Sequence, residues 1–232
     1  MAATTATNPP QTPTKKPRRS ILGRKVGMTQ VFSEEGRWLP ITVLQVGPCT
    51  ILQVKTLDSD GYSAVQLGLD ETKKKKNRPQ QAYLEKIGAK AHRHVREVPF
   101  VDAEAVLGGE GEAPIKPGAK IGVGFFKDVK RVDVRGVSKG KGFQGVIKRY
   151  HNNAGPKSRG TKNIREPGST GMHTDPGRVH KGKHMPGHMG AAFRKARNLD
   201  VVKIDEADHL ILVRGSVPGP NGGYVYIEES LS

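Results

Sequence analysis

Cysteine is almost absent. Cys49 is the only one among 232 residues, which excludes a disulfide framework and a thiolate cluster for zinc, and points to a reduced, intracellular setting. Long apolar runs are missing too: no stretch approaches the ~20 residues of a spanning helix, and no basic stretch has the extended 3.6-period apolar face of a helix lying on a membrane. Acidic side chains are scarce. Against 39 Lys and Arg there are 22 Asp and Glu, a formal net charge of +17 and an isoelectric point near 10.1. A compact monomer with that surplus repels itself unless a polyanion neutralises it, and nucleic acid is the polyanion that fits once a membrane surface is disfavoured. Residues 1–19, MAATTATNPPQTPTKKPRR, lack the apolar core of a secretory signal and carry four cations with no acid. They read as a disordered basic tail. An organellar transit peptide is the alternative, opposed by the late first arginine and by prolines that spoil an amphipathic helix.

The basicity is concentrated. Residues 135–197 hold 15 basic and 2 acidic side chains, a net +13 of the +17, while residues 198–232 hold 2 basic and 6 acidic. The basic segment has no leucine, 12 of the 29 glycines and 5 of the 8 histidines; its only branched aliphatics are Val137, Val146, Ile147, Ile164 and Val179. It cannot bury enough apolar surface to offset an ordering entropy of roughly 1–2 kcal/mol per residue. Neutralisation by phosphates, with release of condensed counterions, supplies the missing free energy. A disordered linker is the bland alternative, but Phe143, Tyr150, Met172, Met185, Met189 and Phe193 are interleaved with the charges as stacking groups would be.

The flanks read as β-structure. Short β-branched runs between 21 and 69 are broken at Glu34-Glu35-Gly36, Gly47-Pro48 and Asp58-Ser59-Asp60-Gly61, the pattern of a strand meander. Further strands are expected at KIGVGFF (120–126), VKRVDVRG (129–136), VVKID, HLILVRG and YVYIEES. The fold class is therefore mainly β: an antiparallel barrel with a small α-rich insertion at about 72–118 and a long irregular basic extension, the chain leaving the barrel near Gly136 and returning near Leu199. Within the insertion PQQAYLEKIGA predicts a helix, AHRHVREV a short strand or irregular contact, and DAEAVL a helical turn. Lys73 to Lys76 form either a phosphate-facing patch or a solvated turn.

Several enzymatic patterns occur in the glycine-rich segment and fail on context. Gly140-Lys-Gly142-Phe-Gln-Gly145 fits a dinucleotide fingerprint, but the next stretch, VIKRYHNNAGP, is too short and polar for the crossover helix. Gly177 to Lys183 resembles a phosphate loop, yet His184 stands where Ser or Thr must hold magnesium. Gly136-Val-Ser138-Lys-Gly140 has the spacing of a nucleophile elbow without its strand-to-helix setting. His180, His184 and His188 are spaced by four, but Gly182, Pro186 and Gly187 forbid the helix that would align them on a metal. No catalytic residue, metal or cofactor is expected. Cys49 reads as a small core residue, and Trp38 is left without a role.

From Phe126 to Arg149, FKDVKRVDVRGVSKGKGFQGVIKR, the chain resembles the signature of large ribosomal subunit protein three, with matches at Phe126, Asp133, Gly136, Ser138, Gly140, Lys141, Gly142, Gly145 and Arg149. The likeness extends to GRKVGMTQVF, PGSTG, PGRVHKGKHMPGHMG, NLDVVKID and LILVRGSVPGP. The resemblance implies a non-enzymatic structural constituent of the large subunit with a six-stranded, translation-protein-like barrel. Its extension would penetrate large-subunit rRNA towards the peptidyl transferase centre and support early assembly. It implies rRNA and neighbouring ribosomal proteins as partners, a cytoplasmic ribosome as location, and neither a membrane nor a small-molecule substrate. Carried over, the organisation is a tail (1–19), the first part of the barrel (20–135), the rRNA-penetrating extension (136–197) and the final barrel strands (198–232).

On that resemblance the phosphate-contact residues are Lys139, Lys141, Arg149, Lys157, Arg159, Lys162, Arg165, Arg178, Lys181, Lys183, Arg194 and Lys195. The innermost loop is Gly171, Met172, His173, Thr174, Asp175, Pro176 and Gly177. Some relatives carry a methylated glutamine where Thr174 stands, so that modification is not expected. A nucleotide-using barrel enzyme and a free-standing RNA-binding translation or assembly factor are the rival readings; the first needs a strand-to-helix phosphate loop, and residence in the subunit discriminates the second.

Overall fold

The computed structural model describes residues 18–74, 76–99 and 117–231. Two hairpins open the chain: β1 (Ser20–Phe32) with β2 (Trp38–Val46), and β3 (Cys49–Lys55) with β4 (Ala64–Glu71), the latter joined through the single turn α1 (Leu57–Asp60). Next along the chain are α2 (Arg78–Ile87), β5 (His92–Pro99), β6 (Lys120–Ile121), β7 (Arg131–Val137), β8 (Phe143–Gln144), α3 (Val146–Tyr150), β9 (Gly187–His188), β10 (Phe193–Asp205), β11 (Leu210–Arg214) and β12 (Tyr224–Glu229).

The protein is mainly β, with antiparallel sheets. Six strands close on themselves in the order β1-β12-β7-β10-β11-β2, every neighbour antiparallel, so the ring has no free edge along its paired length. Alternation places Ile21, Leu44, Val46, Val132, Val134, Ile211, Val213, Val225 and Ile227 inside. Between Lys25 and Gly27 the β1–β2 register shifts, and this bulge lets β1 bend from its partner β12 towards β2.

The meander does not all enter the ring. β3 and β4 turn away after Gly47-Pro48 and form a second sheet in the order β5-β4-β3-β6. Cys49, Thr50, Ile51 and Leu52 are buried without alternation, because the strand is covered on both sides. On one side lies the ring, and on the other the Tyr83 hydroxyl of α2 donates to the Leu52 carbonyl at 3.3 Å. The two sheets share one core, in which Val65, Leu67 and Val98 join Ile21, Leu22 and Val46.

Two further expectations change. KIGVGFF holds only the two-residue β6, after which Val123–Phe126 winds into a 3-10 turn. Val123 and Phe126, three apart, both reach the core that way, and burying a phenylalanine of this kind contributes about 1.5–3 kcal/mol. Among the described residues from 72 onward helix does not dominate: α2, capped by Gly88 in the left-handed region, is the expected helix, and β5, the short strand expected of AHRHVREV, pairs along most of β4. DAEAVL lies outside the described residues. Among the described residues no helix is long and apolar enough to cross a membrane.

Candidate nucleic-acid interface

The basic extension leaves the ring at Val137 and returns at Phe193, residues that face each other across the β7–β10 ladder. Its root is a narrow antiparallel stem. Ser138 and Ala192 are bonded backbone to backbone, Lys141 N–H donates to the Met189 carbonyl and Met189 N–H to Gly142, and β8 pairs with β9 above them. Higher still, Arg149 Nη1 donates to the Met185 carbonyl at 2.7 Å, and the Tyr150 and His184 rings stack in parallel with centroids 4.0 Å apart. Past this point the strands part. From 153 to 183 the chain is irregular, with only scattered links such as Gly155 N–H to the Ile164 carbonyl.

This stem explains most of the signature residues. Gly136 is needed because a Cβ there would sit 2.9 Å from the Pro218 carbonyl oxygen, and Gly142 has φ +66°. The Ser138 hydroxyl accepts from Ala192 N–H at 3.3 Å, and Gly145 begins α3. Asp133 and Phe126 lie below, in the ring's ion-pair cluster and in its core. The pattern that looks like a glycine-rich ligand loop is the architecture of a stem.

The twelve cations assigned to RNA contact divide. Lys139, Lys141, Lys157, Arg159, Lys162, Arg165, Arg178, Lys181, Lys183 and Arg194 are exposed, and among the described residues none of them is in an ion pair. Arg149 is half-buried and spends one donor on the stem. Lys195 differs from them. Its Nζ lies 2.7 Å from Asp133 Oδ2 and 2.6 Å from Glu228 Oε2, carboxylates that are otherwise buried, so its charge is neutralised within the protein. Alternation along β10 turns it towards that cluster, a fact that the run FRKAR does not disclose.

The inner loop, Gly171, Met172, His173, Thr174, Asp175, Pro176 and Gly177, is wholly exposed, with Met172 at 84%. His173 Nδ1 and Thr174 Oγ1 are 2.7 Å apart, and Gly177 turns the chain at φ +64°. His180, His184 and His188 share no helix: His184 stacks on Tyr150, and His188 lies opposite Phe143. The end of the basic tail is also tied down, since Arg18 reaches Glu228 at 3.8 Å and Arg19 donates to the Phe125 carbonyl while lying over its ring. The rest of the tail is outside the described residues.

Sequence reasoning missed Lys25, which is nearly buried at the foot of the stem. Its Nζ donates to the carbonyls of Val217 and Gly219 at 2.9 and 3.3 Å and pins the loop between β11 and β12. Burial, and the nearby charge of Lys139, hold its pKa below the usual lysine value. Trp38 is exposed and packs on Phe32 near the tip of the first hairpin, with centroids 4.5 Å apart.

Chemically, the arrangement offers a folded β foot and a long, exposed cationic arm. Residues 120–225, from β6 through the arm to the start of β12, match the family model of Ribosomal protein L3, which supports assignment of the chain to that family.

Proposed function

From the premise that this chain is a member of the ribosomal protein L3 family, a large-subunit ribosomal protein that binds rRNA, we propose that its ring and second sheet anchor it at the subunit surface while residues 138–192 reach into folded rRNA. The observation that carries this reading is the set of nine exposed cations on the arm, with Arg194 at its return, none of which is in an ion pair among the described residues, on a segment with almost no core of its own. Such an arm gains its order from phosphates, and its glycines let backbone approach RNA closely. It reads shape and backbone, not base sequence. The inner loop would stand nearest the peptidyl transferase centre, where it holds rRNA in its working arrangement and supports early assembly; peptidyl transfer is left to RNA. The family is one of structural ribosomal proteins, not of enzymes. Other large-subunit proteins are its neighbours, and the ribosome in the cytoplasm is its location.

Two measurements test the reading. Sedimentation of the tagged chain from its own host through a high-salt sucrose gradient should leave one copy on each large subunit; recovery in the light fractions would favour a free factor. Changing Lys181 and Lys183 together to Ala should lower the slope of log affinity for rRNA against log salt by about 1–2. An unchanged slope means that these side chains do not reach phosphate.

A further inference from the structure

Where the arm rejoins the ring, Phe193 stands 66% exposed at the start of β10. The guanidinium of Arg96 lies over its ring, 5.7 Å from the centroid. Arg96 does not belong to the basic segment. It comes from β5, the edge strand of the second sheet, whose face towards the ring carries His92, His94 and Arg96 in alternation. His94 of that row stacks on Tyr224 of β12 at 4.5 Å, so the row is seated on the ring and Arg96 is brought to the foot of the arm.

We infer that Phe193 and Arg96 form a stacking site for an unpaired nucleobase of the bound RNA, a contact outside the arm that is composed from both sheets. The inference rests on the RNA-binding reading above. One ring face of Phe193 takes the guanidinium, and the exposed remainder leaves the ring open to a base, giving a base–phenyl–guanidinium stack. Arg96 and the adjacent Arg194 are both exposed, and among the described residues neither is in an ion pair, so donors for the flanking phosphates are at hand. The nearest acid along β5, Glu97, is on the alternate face and paired with Lys55 at 2.9 Å. An exposed aromatic ring under one uncompensated guanidinium, with a second cation next along the strand, suits a nucleic acid better than it suits an apolar protein surface, which would strand the charges.

The test uses the full chain and large-subunit rRNA from its own host. Phe193→Leu keeps the apolar volume and removes the π face. It should weaken binding by about 5- to 100-fold with the salt slope unchanged, because stacking releases no counterion. Arg96→Gln should lower the slope by about 1, and ultraviolet crosslinking of the wild type should join a nucleotide to the peptide containing Phe193. Phe193→Trp should bind as wild type and have its indole emission quenched by the RNA, which guards against a fold defect in the leucine variant. If Phe193→Leu binds as wild type while the Lys181 and Lys183 variant loses slope, the stacking site is overturned and the arm reading survives. If the wild type does not bind rRNA, both fall.

Discussion

Cys49 is fully buried at the start of β3, and its thiol donates to the Leu22 carbonyl at 3.4 Å. Burial pushes its pKa up to about 12. The folded protein should therefore resist a water-soluble maleimide at pH 8 and react stoichiometrically in denaturant; rapid labelling of the native form would contradict this burial. Asp133 has the opposite balance. Burial alone would raise its carboxyl, but donors from Lys195 and from Asn198 N–H, together with the Lys195 charge, bring it below the usual 3.8. A depressed carboxyl contributes stability that is fully present above its unfolded value and lost as pH falls through the folded one. Asp133→Asn should cost about 1–3 kcal/mol at pH 7, and the gap from wild type should narrow below pH 3.8. Urea titrations at pH 7 and pH 3 would show it; a constant gap would place the effect outside this ionisation.

Among the elements, the stem depends on close backbone approach. Gly190 lies at φ +77°, and a Cβ there would overlap the Lys139 carbonyl oxygen and come within 3.0 Å of Gly140 Cα. Gly190→Ala combines left-handed strain with a backbone clash and costs more than about 1 kcal/mol locally. The expected result is faster proteolysis around residues 139–142 and weaker rRNA binding, with the unfolding temperature of the ring little changed. Protection equal to wild type would mean that the stem adapts. The same elements show what can be read from sequence and what cannot. Leucine-free, glycine-rich composition marked 136–197 as unable to build a core, and the ladder places the departure at Val137 and the return at Phe193. By contrast, the β-branched runs of β3 and β4 look like those of β1 and β2, and nothing local tells which pair closes the ring.

For the molecule as a whole, ring and second sheet share one hydrophobic cluster that contains no residue between 138 and 192. Folding of this body should not need the arm. Because Val137 and Phe193 are paired neighbours, replacing residues 139–191 by a short turn should leave cooperative unfolding intact, while tight rRNA binding is lost. Circular dichroism melting and a filter-binding assay report the two halves of that expectation. Loss of the cooperative melt would show that the stem is part of the folding unit.

The sequence by itself determined the chemistry: net charge and its location, a single thiol, the lack of long apolar runs, and the alternation that makes strands. These are properties of composition and of period two along the chain, so they survive without knowledge of the fold. The tertiary structure alone decided which cations are available. Lys195 sits in a run of basic residues and is neutralised by Asp133 and Glu228, Lys25 is spent on two carbonyls, and Arg96, distant in sequence, is carried to Phe193 at the foot of the arm. The partner of a charge is set by strand register and by how two sheets dock, and those long-range relations are not written in any local stretch of residues.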